Sequence, residues 1–487
     1  MGSKKSKLAR NFAFIALGLS LVGCGGEDNG PTPTPTSTPV SLPSPMQAPN
    51  LAQARLLTDA EMRTPALSPE PAASTSAVSW IQSNSFPIRS IIYDEDFSDL
   101  TFLRDQIGER TIVQLGESSH GTREFNHVKT RLIKFLHQEM DFDVVAFESG
   151  FFDGYFVDAN RASLSPDAAR QYTFAVWSTD EVFELFRYVE ETQATNRPLR
   201  LAGFDVQISS GYFGEIFNFI AALPDTGALS PSRKSSVTQN FVRYQSMQAE
   251  FSQQRCFSGT TNQCDELIAN GRDIRAGLVA DRMALQSLEQ DSMRDLRALY
   301  IAISAAIAQL DNSTASYETN DVGDVRDLGM ARTFASVKDR LFPDEKIVIW
   351  AHNRHVALEQ SPTRPVGAVR NYPIVPMGSH LLEQYPDELF TIGLYMLRGE
   401  TADNGRNAVA VLAPRPDSLE AIAYGARLAA FYVDTSADQA RMDGNAFLFE
   451  RIEAYYWGGT FGTYSFILSD QYDGVIVIDQ SSLPSYR

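Results

Sequence analysis

The chain has 487 residues, of which 43% are hydrophobic, and it carries a net charge of −18 at pH 7. This hydrophobic content is sufficient for a sizeable core and excludes a disordered protein, and the length suits one large or two ordinary domains. The strong negative charge argues against nucleic acid as a partner, because phosphate binding needs clustered lysine and arginine.

The N-terminal residues have the organisation of an export signal. Basic residues precede an apolar stretch, Phe12 to Leu21, that is too short to span a bilayer. The next residues, Leu21-Val22-Gly23-Cys24, resemble a bacterial lipobox, in which the cysteine becomes the acylated first residue of the mature protein. We therefore predict a lipoprotein signal peptide over residues 1–23. An ordinary signal peptide and an uncleaved anchor are the alternatives.

The residue after Cys24 sets the expected location. Gly25 stands there in place of an aspartate, and the lipobox resemblance then implies the outer membrane of a bacterium. The globular part is expected in the periplasm or at the cell exterior, with membrane attachment through the N-terminal lipid alone. Residues 24–75 are rich in proline, threonine and serine, which predicts an extended tether between the acylated cysteine and the folded part.

Six short apolar runs rich in β-branched residues follow, and each is predicted to be a strand. They cover residues 112–115, 144–147, 199–202, 346–350, 391–395 and 475–478. Such runs suit strands that are buried on both faces of a mainly parallel sheet. Helices fit between them, as over residues 123–139, where five apolar side chains form one stripe: Phe125, Val128, Leu132, Phe135 and Leu136. The alternation predicts an α/β fold with a mainly parallel sheet flanked by helices.

A helical insertion is expected within this fold. Residues 228–340 contain no strand-like run and are dominated by glutamine, arginine, alanine, methionine and leucine. Cys256 and Cys264 enclose a short glycine-containing loop there, and an exported protein meets an oxidising compartment. We therefore predict a disulfide between them, with two unrelated thiols as the alternative.

Residues able to carry chemistry follow the predicted strands. Glu117 and His120 come after the first strand, Glu148 after the second, Asp205 after the third, and His352 and His355 after the fourth. Ligands of open α/β sheets bind at the carboxyl ends of strands, so these side chains are expected to lie together. An imidazole next to a carboxylate is a suitable general base, and a second histidine or a cation can stabilise an oxyanion.

A serine nucleophile is disfavoured at this loop. Gly116-x-Ser118 begins like the nucleophile elbow of serine hydrolases, and the setting between a strand and a helix agrees with it. His120, however, stands where the elbow needs glycine. Water is therefore the expected nucleophile.

The ordered motifs resemble the erythromycin esterase family over residues 78–487. They are Gly116-Glu117-x-x-His120-Gly121, Glu148, Trp177-Ser178-Thr179-Asp180-Glu181, Gly203-x-Asp205, Arg326-Asp327-x-x-Met330-Ala331, His352-Asn353-x-His355, Met377-Gly378-x-His380 and Tyr472-Asp473-Gly474-Val475. The resemblance implies a hydrolase that cleaves a small-molecule ester or lactone, with His120 as general base. Glu117 and Glu148 match its essential carboxylates, and His352 and His355 match its second histidine pair.

Substrate contacts are predicted at four further residues, namely Lys129, Asp205, Arg326 and His380. The resemblance implies an arginine in the macrolide-hydrolysing members where this chain has Lys129, and lysine lacks the planar fork of an arginine. The expected substrate is therefore an ester or lactone that need not be a macrolide. No cofactor is implied.

Two alternatives remain at this stage. Three histidines and two glutamates could ligate Zn or Mn in a metal-dependent hydrolase or peptidase, although the local spacing gives only a weak metal signature. A haem- or metal-binding lipoprotein is the second alternative.

Overall fold

The computed structural model describes residues 71–256, 262–290, 292–319, 324–360, 362–366, 375–436, 439–459 and 462–487. The predicted signal peptide, the lipidation site Cys24 and the tether up to residue 70 lie outside these residues. No helix of the described residues combines the length and the apolar character that crossing a bilayer requires.

All six predicted strands are present in one sheet. In chain order the strands of the described residues are β1 (Phe86–Pro87), β2 (Ile112–Leu115), β3 (Phe142–Gly150), β4 (Arg200–Asp205), β5 (Lys346–Trp350), β6 (Arg364–Val366), β7 (Leu389–Ala402), β8 (Ala408–Ala410), β9 (Ala430–Asp434), β10 (Arg451–Tyr455), β11 (Thr463–Ile467) and β12 (Gly474–Ser481). The main sheet has the order β1-β9-β12-β7-β2-β5-β3-β4, and β8 pairs with β7.

The centre of this sheet is parallel. Strands β12, β7, β2, β5, β3 and β4 run in the same direction, whereas β9, β1 and β8 pair antiparallel at its margins. The predicted mainly parallel α/β fold is therefore confirmed. The antiparallel strand β9 and a separate three-stranded sheet of order β10-β11-β6 were not predicted.

Helices cover both faces of the sheet. Those of the described residues are α1 (Thr75–Asn84), α2 (Phe102–Ile107), α3 (Arg123–Met140), α4 (Phe151–Asn160), α5 (Pro166–Arg170), α6 (Asp180–Thr192), α7 (Ile216–Ala222), α8 (Pro231–Gln253), α9 (Asn262–Ala284), α10 (Arg294–Thr319), α11 (Asp324–Ser336), α12 (Asn353–Val356), α13 (Met377–Gln384), α14 (Leu419–Ala426) and α15 (Ala446–Phe449). Short 3₁₀ or π turns connect several of them.

The apolar strand residues divide between two cores because successive side chains point to opposite faces. Ile112 packs in the core that contains α10 and α11, whereas Val113 and Leu115 pack in the core that contains α3 and α6. All four residues of β2 are buried, as expected for a strand covered on both sides. The predicted apolar stripe of α3 is buried in full.

The predicted insertion is helical. Helices α8 to α11 lie between residues 231 and 336, and the structure assigns no strand to the described part of residues 228–340. Cys256 and Cys264 form a disulfide between α8 and α9.

The N-terminal boundary differs from the expectation. Residues up to 75 were predicted to belong to the tether, but Ser74 caps α1, and its hydroxyl accepts a hydrogen bond from the backbone N–H of Ala77. Trp80 and Ile81 of this helix are buried in the core. The cap and these apolar residues lie in a stretch rich in serine and alanine. Composition alone therefore did not reveal the start of this helix.

A buried carboxyl group joins α14 to the second sheet. Glu420 is 1% exposed, and its Oε1 accepts a hydrogen bond of 2.7 Å from the backbone N–H of Tyr455. Its Oε2 is buried and has no hydrogen-bond partner in the described structure. Burial raises the pKa of Glu420 to about 7, against the opposing effect of the Tyr455 N–H. The neutral acid therefore suits this position better than the carboxylate.

We predict that Glu420→Gln stabilises the protein in alkaline solution. The folded-state pKa is raised, so the stabilising neutral form is complete below about pH 4.5 and is lost as the pH rises through about 7. Glutamine keeps an acceptor for Tyr455 without the charge. In urea unfolding, the free energy of unfolding of Glu420→Gln relative to wild type should be roughly 1–3 kcal/mol higher at pH 8.5 than at pH 5. Glu453→Gln, a more exposed neighbour, is the control, and an equal pH dependence in wild type and Glu420→Gln would contradict the prediction.

Candidate active site

The candidate site begins at the loop that follows β2. The backbone N–H of Gly116 donates to Ile392 O, that of Ser118 donates to Leu394 O, and that of Asn353 donates to Glu117 O. The loop is thus tied to β7 on one side and to the end of β5 on the other.

Both glycines of this loop are required by close contacts. A Cβ on Gly116 would lie 2.2 Å from Oδ1 of Asn353, and a Cβ on Gly121 would lie 2.2 Å from the carbonyl oxygen of Ala402. Asn353 and Ala402 are held by hydrogen bonds to Leu394 and Gly121 respectively. The loop therefore has room only for glycine at these positions.

Glu117 is fully buried and is held by three donors. Its Oε1 accepts hydrogen bonds from Nδ1 of His120 at 2.7 Å and from Nε1 of Trp177 at 2.9 Å. Its Oε2 accepts one from Nζ of Lys129 at 2.8 Å. Burial raises the pKa of Glu117, but Lys129 and His120 outweigh this effect and lower it below its ordinary value. Glu117 is therefore a carboxylate at neutral pH.

The bond to Glu117 fixes the tautomer of His120. A carboxylate only accepts hydrogen bonds, so the proton of the neutral ring is on Nδ1 and the lone pair is on Nε2. The ring lies edge-on to Trp177, with 4.9 Å between ring centroids, and 5.1 Å from the ring of His352. Its side chain is 11% exposed, whereas that of Glu117 is not exposed. His120 therefore has the tautomer of a general base.

Glu148, at the end of β3, is the second buried carboxylate. Its Oε2 accepts a hydrogen bond of 3.0 Å from the backbone N–H of His352. Its Oε1 lies 3.0 Å from Nη2 of Arg326 and 3.3 Å from Nε2 of His355. Burial raises the pKa of Glu148, but His355 and Arg326 hold it well below its ordinary range. Arg326 also forms an ion pair with Asp205 at the end of β4.

His352 lies between these two centres and is neutral. Its Nδ1 accepts a hydrogen bond of 3.1 Å from the backbone N–H of Arg354, so its proton is on Nε2. Burial, with the neighbouring His120 and His355, lowers its pKa well below the ordinary value. Its ring packs 5.5 Å from that of Tyr456, which follows β10. His352 can therefore donate a hydrogen bond without carrying charge.

The structure places the five predicted catalytic residues, His120, Glu117, Glu148, His352 and His355, around the carboxyl ends of β2, β5 and β3. Ser118 is on the same loop, but among the described residues its hydroxyl makes no hydrogen bond to a histidine.

The four predicted substrate contacts lie in different surroundings. Lys129 is not exposed, and its Nζ also donates to Ala351 O at 3.1 Å, so its contacts are those of a residue that positions Glu117. Asp205 is 1% exposed and holds Arg326. Arg326, with a side chain 17% exposed, is the one of these three that can reach a ligand. His380 is half-buried on α13, and its side chain makes no hydrogen bond or ion pair within the described residues.

Two residues of the site were not among the predicted site residues. Trp177 donates to Glu117, and Asp327 accepts a hydrogen bond of 2.8 Å from Nδ1 of His355. Both belong to the motifs quoted for the family resemblance. Asp327 also follows Arg326 in the sequence, and two adjacent opposite charges suggested that they pair with each other, whereas both contact His355, one at each ring nitrogen.

The side chains of this site that could ligate a metal ion are already paired with other residues of the site. Glu117 is paired with Lys129, and Glu148 is paired with Arg326. Across the described ranges, no group of three or more histidine, cysteine, aspartate or glutamate side chains has an arrangement that could hold a metal ion. The carboxylates therefore have the contacts of buried ion-pair partners.

Fold and site together define an α/β protein with a buried histidine–carboxylate centre at the carboxyl edge of a parallel sheet. The sequence model of the erythromycin esterase family matches residues 137–481. YbfO of Bacillus subtilis (strain 168), whose name describes it provisionally as a hydrolase, is 30% identical over 423 residues, which cover 82% of this chain and 90% of that protein. The chain belongs to the erythromycin esterase family, and this membership supports hydrolase activity.

Further relatives agree with this assignment. Erythromycin esterase type I of Escherichia coli is 25% identical over 310 residues, which cover 59% of this chain and 71% of that protein. The crystal structure of a succinoglycan biosynthesis protein matches with a TM-score of 0.67 at 19% identity, covering 87% of this chain and 100% of that one. A mutant of the erythromycin esterase EreC in its open conformation matches with a TM-score of 0.58 at 18% identity, covering 80% and 95%. At these identities the two structures show the shared fold alone.

We predict that Lys129→Met destabilises the protein by about 3–5 kcal/mol, because it leaves the Glu117 carboxylate buried without its cation. The double variant Glu117→Gln/Lys129→Met should recover much of this loss, since no buried charge remains. Lys134→Met is the matched control: Lys134 is also buried on α3, but its Nζ lies over the ring of Tyr93, 3.9 Å from the centroid. Urea unfolding measures all three. Equal losses in both single variants, or no recovery in the double variant, would contradict the prediction.

Proposed function

We propose that this protein hydrolyses a carboxylic ester or lactone by direct attack of water, with His120 as the general base. The Glu117–His120 pair is the observation that carries this proposal. A buried carboxylate holds Nδ1–H, and Nε2 carries the lone pair of a ring whose side chain is 11% exposed. Such a base contributes typically about 10²–10⁴ in rate.

In the first step, water gives a proton to Nε2 of His120 while its oxygen attacks the carbonyl carbon. The electron pair of the carbonyl π bond moves to oxygen and forms an oxyanion. Glu117 stabilises the imidazolium that results, without itself taking the proton. Arg326 and the Nε2–H of His352 are the donors proposed to stabilise the oxyanion.

In the second step, the oxyanion collapses and the bond between carbon and the ester oxygen breaks. The proton held by His120 passes to the leaving oxygen. The products are a carboxylic acid and an alcohol, or one hydroxy acid from a lactone. His120 returns to its starting state, and all atoms of the water are accounted for.

The substrate is proposed at the level of its chemical class. Relatives of this chain carry the name erythromycin esterase, and a macrolide lactone is one substrate of the proposed class. The replacement of arginine by Lys129 gave a reason to doubt a macrolide. Because Lys129 is buried behind Glu117, its identity bears on the charge of Glu117 and does not limit the size of the substrate.

We expect residues 71–487, screened against esters, lactones and macrolides by mass spectrometry, to yield a product heavier than its lactone by one water. His120→Gln should lower kcat about 10²–10⁴-fold, because it removes the base. His127→Gln, on the helix α3 that follows the His120 loop, is the control. In labelled water, a single turnover should place the heavy oxygen in the carboxyl group, and Ser118→Ala should stay active. An inactive Ser118→Ala variant that remains folded would contradict direct attack by water.

We also propose that Cys24 is acylated and anchors the protein to the bacterial outer membrane. The proposal is supported by the lipobox-like Leu21-Val22-Gly23-Cys24 after an apolar stretch. Full-length protein expressed in a bacterium should sediment with the outer membrane and carry a lipid mass on Cys24. Cys24→Ser should release it to the soluble fraction. Unmodified Cys24 in mature protein would overturn the proposal.

A further inference from the structure

Five ring side chains form a continuous row through the candidate site. The rings of Trp177 and His120 lie 4.9 Å apart, and those of His120 and His352 lie 5.1 Å apart, measured between centroids. The ring of Tyr456 lies 5.5 Å from that of His352, and the ring of Tyr464 lies 4.6 Å from that of Tyr456. The two tyrosines, which belong to the second sheet and its hairpin, thus continue the row beyond the histidines.

The two ends of this row differ in exposure. Trp177 is not exposed and donates a hydrogen bond to Glu117, so the protein closes the row at this end. Tyr456 and Tyr464, at the other end, are half-buried. The row therefore opens toward the tyrosines, and a substrate bound at the histidines can extend in that direction.

Tyr456 differs from two core tyrosines close to it. Tyr395 and Tyr472 are each 1% exposed, and a hydrogen bond of 3.1 Å joins their hydroxyls, as is usual for buried tyrosines. The Tyr456 hydroxyl, by contrast, has no hydrogen-bond partner among the described residues. The charged groups that act on this hydroxyl, Arg354 and Glu359, have opposite signs. These surroundings suit an uncharged ligand.

The backbone of the hairpin between β10 and β11 holds Tyr456 in place. Its N–H donates a hydrogen bond of 3.3 Å to the carbonyl oxygen of Gly462. Two residues after Tyr456, the carbonyl oxygen of Gly458 accepts a hydrogen bond of 2.8 Å from the backbone N–H of Leu412. A surface that is fixed in this way loses little conformational freedom when a ligand binds to it.

We propose that Tyr456, with Tyr464 beside it, binds an uncharged ring in the part of the substrate that is remote from the scissile bond. The site then favours esters and lactones that carry such a ring over straight-chain ones. The face of a tyrosine ring is a flat apolar surface, and a rigid ring can cover it without the loss of freedom that a flexible chain suffers. This proposal rests on the proposed function, because the row starts at His120 and His352.

Cyclohexylmethyl acetate and heptyl acetate test this preference. Both are acetates of primary alcohols with the same number of carbon atoms, and they differ in whether these carbons form a ring. Tyr456→Leu should lower kcat/KM for cyclohexylmethyl acetate roughly 3–10-fold, chiefly by raising KM, because it removes the aromatic contact. The value for heptyl acetate should change less than about 2-fold. Equal losses for both esters would mean that Tyr456 only orients His352, and would overturn the proposal.

Two further variants separate the ring of Tyr456 from its hydroxyl and from general effects on stability. Tyr456→Phe keeps the ring and should keep the preference for cyclohexylmethyl acetate. Tyr300→Leu is the matched control, because Tyr300 is also half-buried but belongs to α10 and is not part of the row. Loss of the preference in Tyr300→Leu to the same extent as in Tyr456→Leu would contradict a specific contact at Tyr456.

Binding can be measured without hydrolysis by ¹⁹F NMR of protein labelled with 3-fluorotyrosine. The signal of Tyr456 is identified by its loss in Tyr456→Phe, and that of Tyr300 by its loss in Tyr300→Phe. N-(cyclohexylmethyl)acetamide, in which an amide replaces the ester, should shift the Tyr456 signal and leave the Tyr300 signal in place. If neither acetate is hydrolysed, the proposed function is contradicted and this NMR result alone decides the ring-binding role. An unmoved Tyr456 signal at the highest soluble concentration of the amide would overturn the proposal, even if Tyr456→Leu fails to fold.

Discussion

The charge of Glu117 is the constraint on which the rest of the site depends. An isolated carboxylate without exposure would cost tens of kcal/mol, so it must be paired or neutralised. Here Lys129 supplies the compensating charge, and Trp177 and His120 complete the hydrogen bonds. Because Lys129 supplies the balancing charge, the hydrogen bond from Nδ1–H of His120 to Glu117 does not require a protonated ring. Because Lys129 pairs with Glu117, its side chain points into the protein and does not contact a ligand.

The order of the strands separates two charged centres. Strand β5 lies between β2 and β3, so the histidines after β5 lie between Glu117 and Glu148. His352 stands next to His120 and is neutral, whereas His355 contacts Glu148 and Asp327. His352 is thus suited to donate a hydrogen bond from Nε2, whereas the ring of His355 is held by Asp327 at one nitrogen and by Arg326 at the other. Two histidines three residues apart acquire different electrostatics from the carboxylates beside them.

The sequence predicted the parts of the site that follow from the strands. Apolar runs located β2, β3, β4 and β5, and parallel strands bring the residues after them to one edge. The sequence did not predict the order of the strands in the sheet, so it did not show which side chains lie next to each carboxylate. Trp177 and Asp327 come from outside the sheet, where no pattern fixes the direction of a side chain. Lys129 borders an apolar stripe, and helical periodicity alone does not tell whether such a lysine faces solvent or a buried carboxylate.

The contribution of the helical insertion to the site is charge compensation. Arg326, on its last helix, pairs with Asp205 and Glu148, two buried carboxylates that would otherwise repel each other. Helix α11 therefore cannot change at Arg326 or Asp327 without altering the charge of the site. Helices α8 and α9 lie further from the site, since α9 packs between α8 and α10, and α10 packs against α11. Substitutions in α8 and α9 therefore leave the charge balance of the site intact.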